Sequence, residues 1–405
     1  MSSSLCILCR GAKYLCGRAY CPILAKTRAY IKVSNVSDTV FGSSPPSVFI
    51  GRIGYPNVFA GPMAPAETGD TSIYDYPELW QSKPVDEVVS MRLSLFLGRR
   101  VVGVTKIDDR FVQELQQMVL TLRPVDIEMR FAKRPRGYSF SEFEPPIGPR
   151  APIDSFKVVS IPSTSKVVER IYGDGDATAL EAVVELYRGG IPVSQIQKIF
   201  SVGALGAAKR RRLVPTRWAI TAVDDIISRH LITERIRFYS HLSEIQVFVR
   251  FYAKNLFISI LIPGEWSFEW MEAWFPKSTW NPNGSEVVVE GDHELFRPRD
   301  EYASIGGCYY AARLATAEYL NKIARQAIAV VLREVYPGFD IPIGVWFVRE
   351  QLRAMYSQKP YRVSSLDEAL KIVDKYSALG SKIWVRKSRI LTLLLKNSRL
   401  DNYFR

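Results

Sequence analysis

Four of the five cysteines in this 405-residue chain crowd into one short run, Cys6, Cys9, Cys16 and Cys21, at the spacing C-x2-C-x6-C-x4-C. Four thiolates held together repel one another unless a cation sits among them, and one tetrahedral Zn(II) with four sulfur ligands meets that need. The two-residue gap lets Cys6 and Cys9 grip one side of an ion, and Gly11 and Gly17 can follow the ligand turns without backbone crowding. Arg10, Lys13, Arg18 and Lys26 set positive charge around a centre that is itself negative. A site filled by four cysteines has no open position, so the ion is expected to be a structural brace and not a catalyst. A four-cysteine iron–sulfur cluster is the alternative; Cys21-Pro22 suits it, whereas the first gaps do not. Two disulfides would require an oxidising compartment.

Two further groups of residues have chemistry in their types. Lys209, Arg210, Arg211 and Arg212 are four consecutive cations, which cannot all face a core and which suit a polyphosphate backbone. Past Pro215, Arg217 and Trp218 add a guanidinium and an aromatic face, the pair that stacks on exposed bases of single strands. The competing reading is a solvated basic loop leading into a helix near Thr221, with Asp224 and Asp225 favouring its N-terminal dipole. Asp292 and Glu294, with Asp224, Asp225 and Glu269, would make a Mg(II) or Mn(II) site for a phosphodiesterase or nuclease only if folding gathers them. His230, His241 and His293 have no recognisable nucleophile beside them.

Composition narrows the setting. A hydrophobic fraction of 47% argues for a mostly folded chain with a substantial core. The formal charge of +13 gives an attraction to anionic partners that needs no sequence specificity. Apolar runs such as Phe257 to Ile262 are too short to span a bilayer, so no membrane association is expected. With no signal peptide visible, the expected setting is the cytoplasm, in association with the nucleoid.

The elements that must position these groups point to an α/β, or α+β, architecture: a mixed sheet with packed helices, a small N-terminal zinc knuckle and a flexible C-terminal tail. The expected division is residues 1–30 for the cysteine segment, 31–150 for an N-terminal α/β region, 151–390 for an α+β region carrying the basic stretch, and 391–405 for the tail, with the main cut in the proline-rich loop from Lys133 to Pro152. Helices are expected over 85–97 and 109–122, and Val125, Ile127, Met129 and Phe131 alternate with charged residues as a half-buried strand does. The segment Gly51-Arg52-Ile53-Gly54-Tyr55-Pro56 belongs to a glycine- and proline-dense loop, best read as a structural lid. Helices over 177–187 and 193–200 form an αα corner in preference to a base-reading helix-turn-helix. Strands over 245–252 and 256–262 pair through a tight turn. The tryptophans from Trp266 to Trp280 belong to a core, a long helix runs from Gly307 to Val335, a strand covers 341–346, and Ser365 with Glu368 caps a late helix.

At the far end, Leu400, Tyr403 and Phe404 share one side of a helical turn, and Asn397 stands three residues before Leu400. This spacing resembles the PIP box that binds the sliding clamp, with the shorter amide of Asn397 where that motif has glutamine. Together with the four-cysteine run, Ser44-Pro45-Pro46, Gly54-Tyr55-Pro56, Leu213-Val214-Pro215-Thr216-Arg217-Trp218, Pro263-Gly264-Glu265-Trp266 and Gly344-Val345-Trp346, it makes nearly the whole chain similar to the archaeal Nre family of DNA repair proteins, its NreA type in particular. The resemblance implies a role in DNA damage repair, a zinc-binding N-terminus and recruitment to the clamp PCNA. It implies no settled catalytic activity.

Overall fold

The computed structural model describes residues 3–11, 13, 15–17, 21, 38–160, 164–297 and 299–401, with side chains at 3–4 and 397–401 excepted. Its chain divides into two compact units, Lys26–Ile227 (the middle unit) and a split unit assembled from Met1–Ala25 and Ser228–Arg405. The segment 133–152, where a domain cut was expected, lies inside the middle unit. It connects two paired strands, and backbone bridges between Ser139 and Ile147 and between Arg136 and Arg150 fold it on itself. A return of the chain to an earlier partner is invisible to a linear reading.

In the middle unit, β1 (Thr39–Ser44), β2 (Ser47–Ile50), β3 (Asn57–Ala64), β4 (Phe96–Gly103), β5 (Val125–Phe131) and β6 (Arg150–Val158) form a sheet in the order β1-β5-β6-β4-β3-β2. Only β4 and β6 run parallel. The alternation in β5 holds: Val125, Ile127, Met129 and Phe131 are buried, and Glu128 and Arg130 are exposed. Helices Val85–Leu93 and Arg110–Val119 end earlier than expected. The Thr178 hydroxyl and the Glu181 carboxylate close a reciprocal cap on helix Ala179–Arg188. The following helix, Val193–Ser201, buries Gln195, Gln197 and Lys198, so it has no polar face with which to read bases.

In the split unit, β7 (Ile245–Tyr252), β8 (Asn255–Ile262), β9 (Ser267–Trp274), β10 (Val288–Glu294), β11 (Ile328–Val335) and β12 (Tyr361–Val363) run in the order β10-β9-β11-β8-β7-β12. The β7–β8 turn sets Ala253 and Lys254 at φ 47° and 59°, the left-handed pair that two-residue hairpins prefer. The expected helix from Gly307 to Val335 stops at Lys322; Ala324 is left-handed, and Ile328–Val335 becomes β11, between β8 and β9. A β-branched run buried on both faces shows no helical or strand period, which is why the sequence misleads there. Ile341 to Trp346 is not a strand: Trp346 opens helix Trp346–Tyr356. Trp266, Trp270, Trp274 and Trp280 are all buried, as expected of a core. Ser365 caps helix Leu366–Tyr376 by accepting from the Glu368 amide. Among the described residues, no helix is long and apolar enough to cross a membrane.

Candidate nucleic-acid interface

Leu213 to Trp218 is held by backbone contacts on both sides. The Leu213 amide donates to Val104 O and the Val214 amide to Ser201 O, both at 2.8 Å. Thr216 Oγ1 accepts from the Ile50 amide at 2.9 Å, tying the start of helix Thr216–Glu234 to the end of β2. That tie decides the site. Past Ile50 the chain turns through Gly51 to Pro56, with Gly54 left-handed at φ 85° and a would-be Cβ there only 2.8 Å from Asn57 O, so a side chain at 54 would force the turn open. The turn lays the Tyr55 ring beside that of Trp218, centroids 5.4 Å apart and tilted by 52°.

Both rings remain open to water, each 45% exposed, and Ile53 at the turn is 74% exposed. On the solvent face of β3 and β4, Phe59 lies directly opposite Val101, also exposed, and the Arg99 guanidinium covers the Phe59 ring at 4.8 Å. Burial lowers the Arg99 pKa, and its Nε has no hydrogen-bond partner.

The basic run divides. Lys209, Arg210 and Arg212 are exposed. Arg211 instead donates to the carbonyls of Gly206, Tyr172 and Asp174 and lies over the Tyr172 ring, so it braces a loop. Arg217 is half-buried with its guanidinium 3.5 Å from the centroid of the Phe143 ring, turned to a different ring from its neighbour Trp218. The side chain beside the Trp218 ring is therefore Tyr55, and Arg217 packs on Phe143. Sequence reading missed Tyr55; the signal was an aromatic residue between Gly54 and Pro56, in a turn too tight to bury it.

The carboxylates proposed for a metal-dependent enzyme are spoken for. Register pairs Glu269 with His293, so both point to one face of the sheet, and the alternation of β10 sends Asp292 and Glu294 to the other. Glu269 accepts from Ser388 Oγ and the amides of Arg389 and Ile390; burial, the largest influence, raises its pKa. Asp292 pairs with Arg299 and accepts from the Ser304 amide, and Glu294 takes Arg313 and the Trp266 indole. Asp224 is buried and accepts from Gln197 in the middle unit.

The cysteine segment docks in the split unit. Helix Ser3–Cys9 buries Ile7 and Cys9, after which Arg10 and Gly11 are left-handed. The buried Arg10 guanidinium pairs with Glu272 and donates to Cys308 Sγ at 3.3 Å. Cys6, Cys9, Cys16 and Cys21 are free thiols; burial, then the neighbouring Cys21, Cys9 and Cys16, raise the pKa of Cys6. Among the described residues, no group of three or more His, Cys, Asp or Glu side chains is arranged to hold a metal ion. The clamp-like residues Asn397, Leu400, Tyr403 and Phe404 lie outside the described residues, apart from the helical backbone of the first two in Arg389–Asp401.

Two family models, archaeal Nre N-terminal and archaeal Nre C-terminal, match residues 15–281 and 294–403. The chain belongs to the archaeal Nre family. This Nre chain is 48% identical over 387 residues to the DNA repair protein NreB of Archaeoglobus fulgidus, covering 95% of this chain and 96% of the relative. The DNA repair protein NreA of the same organism is 38% identical over 372 residues, covering 91% and 93%. NreA of Haloferax volcanii is 33% identical over 362 residues, covering 87% and 86%. No solved structure matches this Nre chain. The gap between the two family models, residues 282–293, takes in β10 up to His293, inside the split unit's sheet, so the family's halves and the compact units are different divisions of the chain.

Proposed function

We propose that this Nre chain is a DNA repair protein that binds DNA through an exposed basic surface of the middle unit. The observation that carries the reading is the Leu213–Trp218 segment, which presents an exposed tryptophan just after the exposed cations Lys209, Arg210 and Arg212. The names of the relatives supply the repair context. Cys6, Cys9, Cys16 and Cys21 would hold one structural Zn(II), drawing together around the ion as a brace for the N-terminal segment. Asn397, Leu400, Tyr403 and Phe404 would carry the protein to the sliding clamp PCNA, folding against the clamp's pocket as they bind.

Titration of the full-length protein into labelled duplex DNA at rising salt tests the first part. Affinity is expected to fall steeply as counterions compete, and salt-independent affinity or none would overturn it. Deletion of 397–405 is expected to abolish clamp binding while leaving DNA binding in place. One zinc per chain, released together with loss of protection of the N-terminal segment against protease, is the expected metal result; a metal-free protein with the same protection contradicts the brace.

A further inference from the structure

Resting on that DNA-binding reading, we infer that Tyr55 and Trp218 form a stacking platform for unpaired bases, so that the substrate class is DNA in which single-stranded nucleotides adjoin a duplex. Three observations support it. The two rings are half-exposed, meet at an angle of 52° and keep outward faces that no other ring in their neighbourhood covers among the described residues. The backbone that carries each ring is fixed: the Trp218 amide donates to Pro215 O at 2.8 Å, the Thr216 hydroxyl accepts from the Ile50 amide, and the Asn57 amide closes the Gly54 turn at 2.9 Å. Little backbone ordering therefore accompanies binding. The third is charge nearby in the chain, since the exposed cations Lys209, Arg210 and Arg212 precede Trp218 by nine, eight and six residues and suit a phosphate backbone better than an apolar protein partner.

An intact duplex offers such rings only groove edges and phosphates, because its base faces are covered by their neighbours. An unpaired base offers its π-face, and stacking on it is indifferent to sequence. Ile53, 74% exposed at the same turn, adds an apolar edge beside the platform.

The test compares the full-length protein on a blunt duplex and on the same duplex carrying an oligothymidylate overhang, at one salt concentration. Preference for the overhang is expected at about tenfold, the effect of one or two stacked bases. Trp218→Ala and Tyr55→Ala should each collapse that ratio toward one, whereas Trp218→Phe should keep most of it. Replacing Lys209, Arg210 and Arg212 together by glutamine should weaken both DNAs and preserve the ratio. Equal affinity for the two DNAs, or a ratio that Trp218→Ala leaves intact, overturns the platform while the DNA-binding reading stands; an aromatic patch reserved for another protein gives that second result. Failure to bind either DNA overturns both.

Discussion

Glu272 in the split unit and Asp75 in the middle unit are each buried between two cations, and these two clusters differ in kind. In the split unit, Glu272 lies between Arg10 and Arg333, all three side chains almost fully buried, and Arg333 also donates to Asn255 Oδ1. In the middle unit, Asp75 lies between Arg92 and Lys198; Ser47 donates to it as well, and the ammonium spends its other protons on Pro45 O and Asp75 O. Guanidinium groups keep their charge at any accessible pH, whereas a buried lysine can give up its proton. Burial lowers the pKa of Lys198 despite Asp75 beside it. The first cluster is thus a lock whose two cations keep their charge, and one of them, Arg10, follows directly on Cys9. The second is a lock with a release, tying the Ser44–Ser47 loop to helix Val193–Ser201.

The largest expected effect breaks the first lock. Glu272→Leu leaves two buried guanidinium groups uncompensated and should lower the urea-derived unfolding free energy by about 3–5 kcal/mol. Asp75→Leu should cost less, about 2–3 kcal/mol, because Lys198 can become neutral and remain buried. Equal losses would erase the contrast between the clusters.

pH sharpens it. Burial pushes the Glu272 carboxyl upward, but Arg10 and Arg333 outweigh that and hold it below the usual glutamate range. Its contribution is therefore complete above about pH 4 and disappears as pH falls through the depressed folded-state value. Urea midpoints should fall with acid in the wild type and show less of that slope in Glu272→Leu. Lys198 has the same sign of dependence in a more alkaline range: its folded pKa is depressed, the unfolded chain binds more protons, and stability from this group rises as pH climbs toward about 10. Asp75→Leu should thus gain stability relative to the wild type as pH rises toward about 10, and a flat profile would count against a charged Lys198.

Exposed cations give the smallest effect on stability. Replacing Lys209, Arg210 and Arg212 by glutamine should change unfolding by less than about 0.5 kcal/mol, yet reduce the slope of log affinity for duplex DNA against log salt by about 2–3. A loss of stability without a change of slope would place these residues in the fold and not at the DNA.

Local patterns made much of the fold legible. The alternation of β5, the β7–β8 turn and the Ser365 cap all act over a few residues, and each appears where the sequence puts it. The pairing of β4 with β6, the strand at Ile328–Val335 and the joining of the N-terminal segment to residues beyond 227 depend on distant partners, and no short-range period encodes them. The candidate interface was half legible for the same reason. Lys209, Arg210, Arg212 and Trp218 could be read from residue type, whereas the turning inward of Arg211 and the approach of Tyr55 follow from contacts with Tyr172, Asp174 and the end of β2.

Photo-crosslinking with a duplex whose single-stranded overhang carries 5-iododeoxyuridine, followed by mass spectrometry of the digested full-length protein, addresses the interface most directly. Adducts on the peptides containing Tyr55 or Trp218, lost in Trp218→Ala and absent with the blunt duplex, are the predicted result. Adducts confined to other peptides, with those two unlabelled, would contradict it.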